Sequence, residues 1–152
     1  MTNDQVLDAG MAKVREIADA AIVVSLSELA EKSINRQLRF AAFGGHDEGT
    51  YENDTFNLHD SYGYAIYRNG AIRKKWMNDS KATEADSGGT KGSTLGSTFL
   101  DNFSSTGSWQ LVVVAGEFYA DELQNTYKFD VLLRAYQDTQ EDFLKDFKRI
   151  MN

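Results

Sequence analysis

The chain has 152 residues, no cysteine and no proline, 41% hydrophobic and 26% charged residues, and a formal net charge of −7. One domain spanning residues 1–152 is expected, with enough chain to bury a core without disulfides or a structural metal. The missing thiols exclude zinc ribbons, iron–sulfur sites and cysteine nucleophiles and fit folding in a reducing cytoplasm, while 23 acids against 16 bases argue against general binding to nucleic-acid backbones.

Residues 4 to about 39 read as one long helix. Asn3 or Asp4 is expected to cap it, and Leu7, Met11, Val14, Ala18, Ala21, Ser25 and Leu29 recur at steps of three and four. A second stripe of Val6, Ile17, Val24, Leu26, Ile34 and Leu38 widens the apolar face, so the helix is expected to be covered on more than one side. Its N-terminal end, Met1–Asp8, carries two acids and no base, unlike the opening of a signal peptide. The apolar stretches Ala20–Leu26 and Leu111–Ala115 are too short to span a bilayer, and a soluble product without membrane contact is expected.

Between Arg39 and Arg68 lie Asp47, Glu48, Glu52, Asp54 and Asp60 without a Lys or Arg, among the loop residues Gly44, Gly45, Gly49 and Asn53. An exposed acidic loop is expected here. Ser61–Arg68, Asn69-Gly70 and Ala71–Met77 then form a hairpin, because Asn-Gly supplies both positive-φ positions of a type I′ turn. A regular ladder places Tyr67 opposite Ile72, Ala65 opposite Lys74, Gly63 opposite Trp76, Ile66 opposite Arg73, Tyr64 opposite Lys75 and Tyr62 opposite Met77.

Residues 79–107, mostly Ser, Thr, Gly, Asp and Lys, read as a long Gly/Ser/Thr-rich loop. Its apolar residues Leu95, Phe99, Leu100 and Phe103 point to a short strand or docking segment in the second half. Trp109–Ala115 is a buried strand, Phe118–Tyr127 a short helix and Asp130–Ile150 a final helix. The order predicts an α+β fold: a long N-terminal helix, an antiparallel sheet of a β-hairpin plus one or two further strands, and a C-terminal helix.

Candidate chemistry is sparse. The run Gly88-Gly89-Thr90-Lys91-Gly92-Ser93-Thr94 fails as a phosphate loop, since Lys precedes the last Gly and neither flank has the required strand or helix. His46 and His59 lie near acids, but no metal-ligand spacing repeats. Asp101 stands apart, and Asp121 and Glu122 diverge as neighbours on one helix, so no carboxylate pair suits hydrolysis. No catalytic, cofactor or metal site is expected. Arg73, Lys74, Lys75 and Lys81 form the basic cluster, and its sharper reading is contact with the acidic Asp47–Asp60 loop of another copy, as in a head-to-tail ring. Interface candidates are therefore Asp47, Glu48, Glu52, Asp54, Arg73, Lys74 and Lys75, with Phe99 and Phe103 as docking anchors.

Two stretches carry a family resemblance. Thr55-Phe56-Asn57-Leu58-His59-Asp60-Ser61-Tyr62-Gly63-Tyr64-Ala65-Ile66-Tyr67, followed by Asn69-Gly70, resembles the "T-G-N-L-R-x-S-I" approach to a hairpin in neck and tail-completion proteins of long-tailed bacteriophages. Leu111-Val112-Val113-Val114-Ala115-Gly116, Phe118-Tyr119-Ala120 and Phe129-Asp130-Val131-Leu132 are similar to that family's strand, turn and step into its last helix. The resemblance implies a non-enzymatic virion protein, assembled in the host bacterial cytoplasm as a hexameric or dodecameric ring. Such a ring joins head to tail, touches portal-adaptor, neck or tail proteins, and lets DNA pass without sequence preference. The alternative is a small ligand-binding or enzymatic domain of a bacterial mobile element, with the Phe43–Asp60 loop as its site.

Overall fold

The computed structural model describes residues 2–42, 57–78 and 92–116, together with 120, 125, 137, 139–143 and 145. In chain order the elements are helix α1 (Asn3–Ala42), a short helix α2 (Asn57–Asp60), strands β1 (Tyr62–Arg68) and β2 (Ala71–Met77), helix α3 (Gly92–Asn102) and strand β3 (Trp109–Ala115). The sheet is antiparallel throughout, in the order β2-β1-β3, and residues 139–143 add a short helical segment towards the C-terminus. This is the α+β arrangement expected.

The start of α1 differs from expectation. Thr2 caps it: the Gln5 amide donates to Thr2 Oγ1 at 3.3 Å while the Thr2 amide donates to Gln5 Oε1 at 2.9 Å. That reciprocal box satisfies a free amide at each end of the turn, leaving Asn3 and Asp4 inside the first turn.

Asn69 and Gly70 adopt φ of 50° and 85°, the positive pair that a type I′ turn requires. The ladder beyond the turn corrects the regular register. Tyr67 faces Ile72, but a bulge at Arg73 shifts the remainder, so Ile66 faces Lys74, Ala65 faces Lys75, Tyr64 faces Trp76 and Gly63 faces Met77. One extra residue in β2 moves every later side chain to the other face. Trp76 therefore stacks on Tyr64, with ring centroids 5.9 Å apart, and Met77 covers Gly63.

Strand β1 is the centre of the molecule, with a helix on each side. Tyr62, Tyr64 and Ile66 pack with Leu58 and with Ala30 and Ile34 of α1, whereas Ala65 and Tyr67 pack with Leu100 of α3 and Val114 of β3. Alternation along one strand thus supplies two cores.

Helix α3 corrects the loop expected over residues 79–107. Its sequence, Gly92-Ser93-Thr94-Leu95-Gly96-Ser97-Thr98-Phe99-Leu100-Asp101-Asn102, is rich in weak helix formers, and packing overrides propensity here. Gly116 at the end of β3 lets the helix backbone come close, since a Cβ added there would run into the Gly92 carbonyl and the Gly96 backbone, and a Cβ added at Gly96 would crowd Met77, Val114 and the Ser61 carbonyl. These glycines serve close approach. Residues 79–91 lie outside the described residues, as does most of the expected helices over 118–127 and 130–150, although 120, 125, 137, 139–143 and 145 are helical.

A Gly116→Ala variant should lose about 1–3 kcal/mol, because the obstruction is backbone that cannot rotate away. Gly10→Ala should gain about 0.5–1 kcal/mol of local helix stability, since nothing lies within 4 Å of the new Cβ. Urea unfolding followed by tryptophan fluorescence checks the first, and far-UV circular dichroism the second.

Candidate docking surfaces

The bulge at Arg73 decides where the basic residues of the hairpin go. Lys74 turns towards α1, where its Nζ lies 3.5 Å from Glu31 Oε1 and 5.7 Å from the centre of the Tyr64 ring. Lys75 turns to the opposite face, donating to both Asp101 carboxylate oxygens at 2.7 and 2.8 Å and to Ser97 Oγ at 3.1 Å. The two lysines are neighbours in sequence and lie on opposite sides of the sheet, each beside an acid of its own chain. Arg73, immediately before them, is exposed. The structure does not bring these three residues into one patch. Asp47, Glu48, Glu52 and Asp54 lie outside the described residues.

On the α3 side, the two phenylalanines separate into different roles. Phe103 is half-buried, its ring 5.4 Å from that of Tyr67, whose hydroxyl donates to the Leu100 carbonyl at 2.5 Å. Burial, then the charge of Asp101, pushes the Tyr67 phenol above its ordinary range, so it stays a donor at neutral pH. Phe99 touches Phe103 at 5.9 Å but is 53% exposed, beside exposed Leu95 one turn away. Phe99 is the available anchor of the pair.

Among the described residues, most of the exposed large apolar side chains lie on α1, where burial was expected. Every residue from Thr2 to Ala18 is exposed, and among the described residues α1 runs for about 24 Å before its first ion pair with the sheet, between Asp19 and Arg68. Arg68 also lies over the Trp109 ring at 5.3 Å, tying the middle of α1 to the hairpin tip. From there Val23, Leu26, Ala30, Ile34 and Leu38 pack on the sheet, while Val6, Leu7, Met11, Val14, Ile17 and Val24 stay exposed. The apolar face of α1 thus changes sides about halfway. The sequence signal for this was the placement of Glu28 and Lys32 in line with Leu7, Val14 and Ala21, which ends that stripe within the half of the helix that packs on the sheet.

Of the remaining candidates, Asp101 pairs with Lys75 and His59 belongs to α2. His46, Asp121, Glu122 and Lys81 lie outside the described residues. Among the described residues no three His, Cys, Asp or Glu side chains converge as a metal site, and no helix is long and apolar enough to cross a membrane. A shallow cleft of about 320 Å³ opens between Met77 and the hydroxyl face of Ser93, Thr94, Ser97 and Thr98. No protein-family model, curated protein or solved structure matches the chain.

Phe99→Ser should leave the urea midpoint nearly unchanged, whereas Phe103→Ser should cost about 1–3 kcal/mol through lost contact with Tyr67. Equal destabilisation by the two variants would place Phe99 in the core.

Proposed function

We propose that this chain is a structural component of a tailed-phage virion, forming a homo-oligomeric ring in the neck that joins head to tail and continues the DNA channel. The observation that carries the reading is the exposed apolar arm of α1. A folded body that projects about four turns of helix, with Val6, Leu7, Met11, Val14 and Ile17 all in solvent, presents surface suited to assembly.

The described parts of the two phage-like stretches also lie side by side. Residues 62–67 and 111–115 are paired strands, with Tyr62 opposite Ala115 and Ile66 opposite Leu111, and Gly116 donates to the Ser61 carbonyl at 3.1 Å. They build the framework from which the hairpin, α3 and α1 reach outward. In a ring, Phe99 and the α1 arm are the surfaces offered to neighbouring copies or to the adjoining portal-adaptor and tail layers, with DNA passing through without base contacts.

The test is electron microscopy of purified virions and isolated necks, with the chain located by labelled antibody or mass spectrometry. Multiple copies in one ring at the head–tail junction are expected. Intact virions that lack the chain would overturn the reading.

A further inference from the structure

The exposed stripe of α1 has an internal order that names its occupant. Leu7, Gly10, Val14, Ile17, Ala21 and Val24 alternate at steps of three and four, the a and d positions of three heptads. Their sizes run large, small, large, large, small, large. The series reads alike in both directions, so two copies laid antiparallel match layer for layer: Leu7 against Val24, Gly10 against Ala21, and Val14 against Ile17.

We propose that this stripe is a self-association surface whose partner is the α1 stripe of a second copy, packed antiparallel about a two-fold axis between residues 14 and 17. The stripe points away from the sheet, on the side of α1 opposite Ala30 and Ile34, so the copy is not obstructed by the body at residues 21–28. Flanking positions agree. Met11 meets Ala18 of the second copy, Lys13 meets Ala20, and Asp4 meets Ser25, with no like charges opposed.

Charge selects the direction. Glu28, exposed and next in line on the stripe, falls beside Asn3 of the second copy, where the positive end of that helix favours a carboxylate. A parallel pair would instead set Glu28, at the next a position, against the Glu28 of its own copy. Two helices in contact over residues 3–28 bury roughly 1,000 Å² in total, the lower limit for a specific interface, so a dimer of modest affinity is expected. This pairing rests on α1 alone and does not depend on the ring.

The cysteine-free chain makes a direct test possible. Single-cysteine variants Leu7→Cys and Val24→Cys are oxidised separately and as a mixture. The antiparallel pair predicts a disulfide-linked heterodimer in the mixture and little product from either variant alone. Rapid crosslinking of Leu7→Cys with itself would overturn the antiparallel direction. Sedimentation of the unmodified chain should show a dimer at about 100 μM, and Ile17→Glu should raise its dissociation constant about thirtyfold or more. Circular dichroism and tryptophan fluorescence establish that this variant is folded. A monomer at that concentration with no crosslink in the mixture would overturn the pairing altogether, while rings in the virion neck are scored separately by microscopy.

Discussion

Everything in this protein is arranged around β1, a strand hydrogen-bonded on both edges and buried on both faces. Tyr62, Tyr64, Ala65, Ile66 and Tyr67 are all essentially inaccessible to water. A strand in that position needs apolar or well-satisfied side chains on both sides, and its tyrosines meet this by carrying their hydroxyls to partners: Tyr64 donates to Glu31 at 2.7 Å and Tyr67 to the Leu100 carbonyl. One hydroxyl fastens α1 and the other fastens α3. The central strand therefore fixes both helices by hydrophobic contact and by a directed hydrogen bond.

From that constraint the surface follows. The bulge at Arg73 reverses which lysine faces which helix, so Lys74 joins Glu31 and Lys75 joins Asp101. Both pairs are partly exposed and contribute little to stability, but they spread charge over two faces instead of one. On α1, the sheet engages only the later half of the helix, with helical residues 139–143 touching it through Lys32 and Ser33. Among the described residues, the part of α1 before Asp19 is an exposed arm that carries several apolar side chains. That division between a packed core and an exposed arm is the physical basis for reading the chain as an assembly component.

The sequence made some of this legible and hid the rest for identifiable reasons. The Asn69-Gly70 turn, the three strands and the long helix all carry local signals, namely positive-φ residues, an apolar run and a repeating spacing. The bulge carries none, because nothing in Arg73-Lys74-Lys75 distinguishes a regular strand from one with an inserted residue. Helix α3 was concealed because its glycines read as loop residues, whereas Gly96 packs closely on Ser61 and Val114 and the helix backbone rests on Gly116. On α1, spacing revealed an apolar stripe but could not show whether the protein itself covers it. Of the interface candidates, Phe99 is exposed, Phe103 shares the core with Tyr67, and Lys74 and Lys75 have acidic neighbours within the chain.

Residue-resolved amide hydrogen exchange at low protein concentration distinguishes the packed central strand from the exposed half of α1. Amides of residues 63–67 are expected to exchange only through global unfolding, while those of residues 7–18 exchange orders of magnitude faster through local opening of an exposed helix. Equal protection of the two segments in a verified monomer, or exchange of β1 by local opening, would contradict a body built on β1 with a free α1 arm.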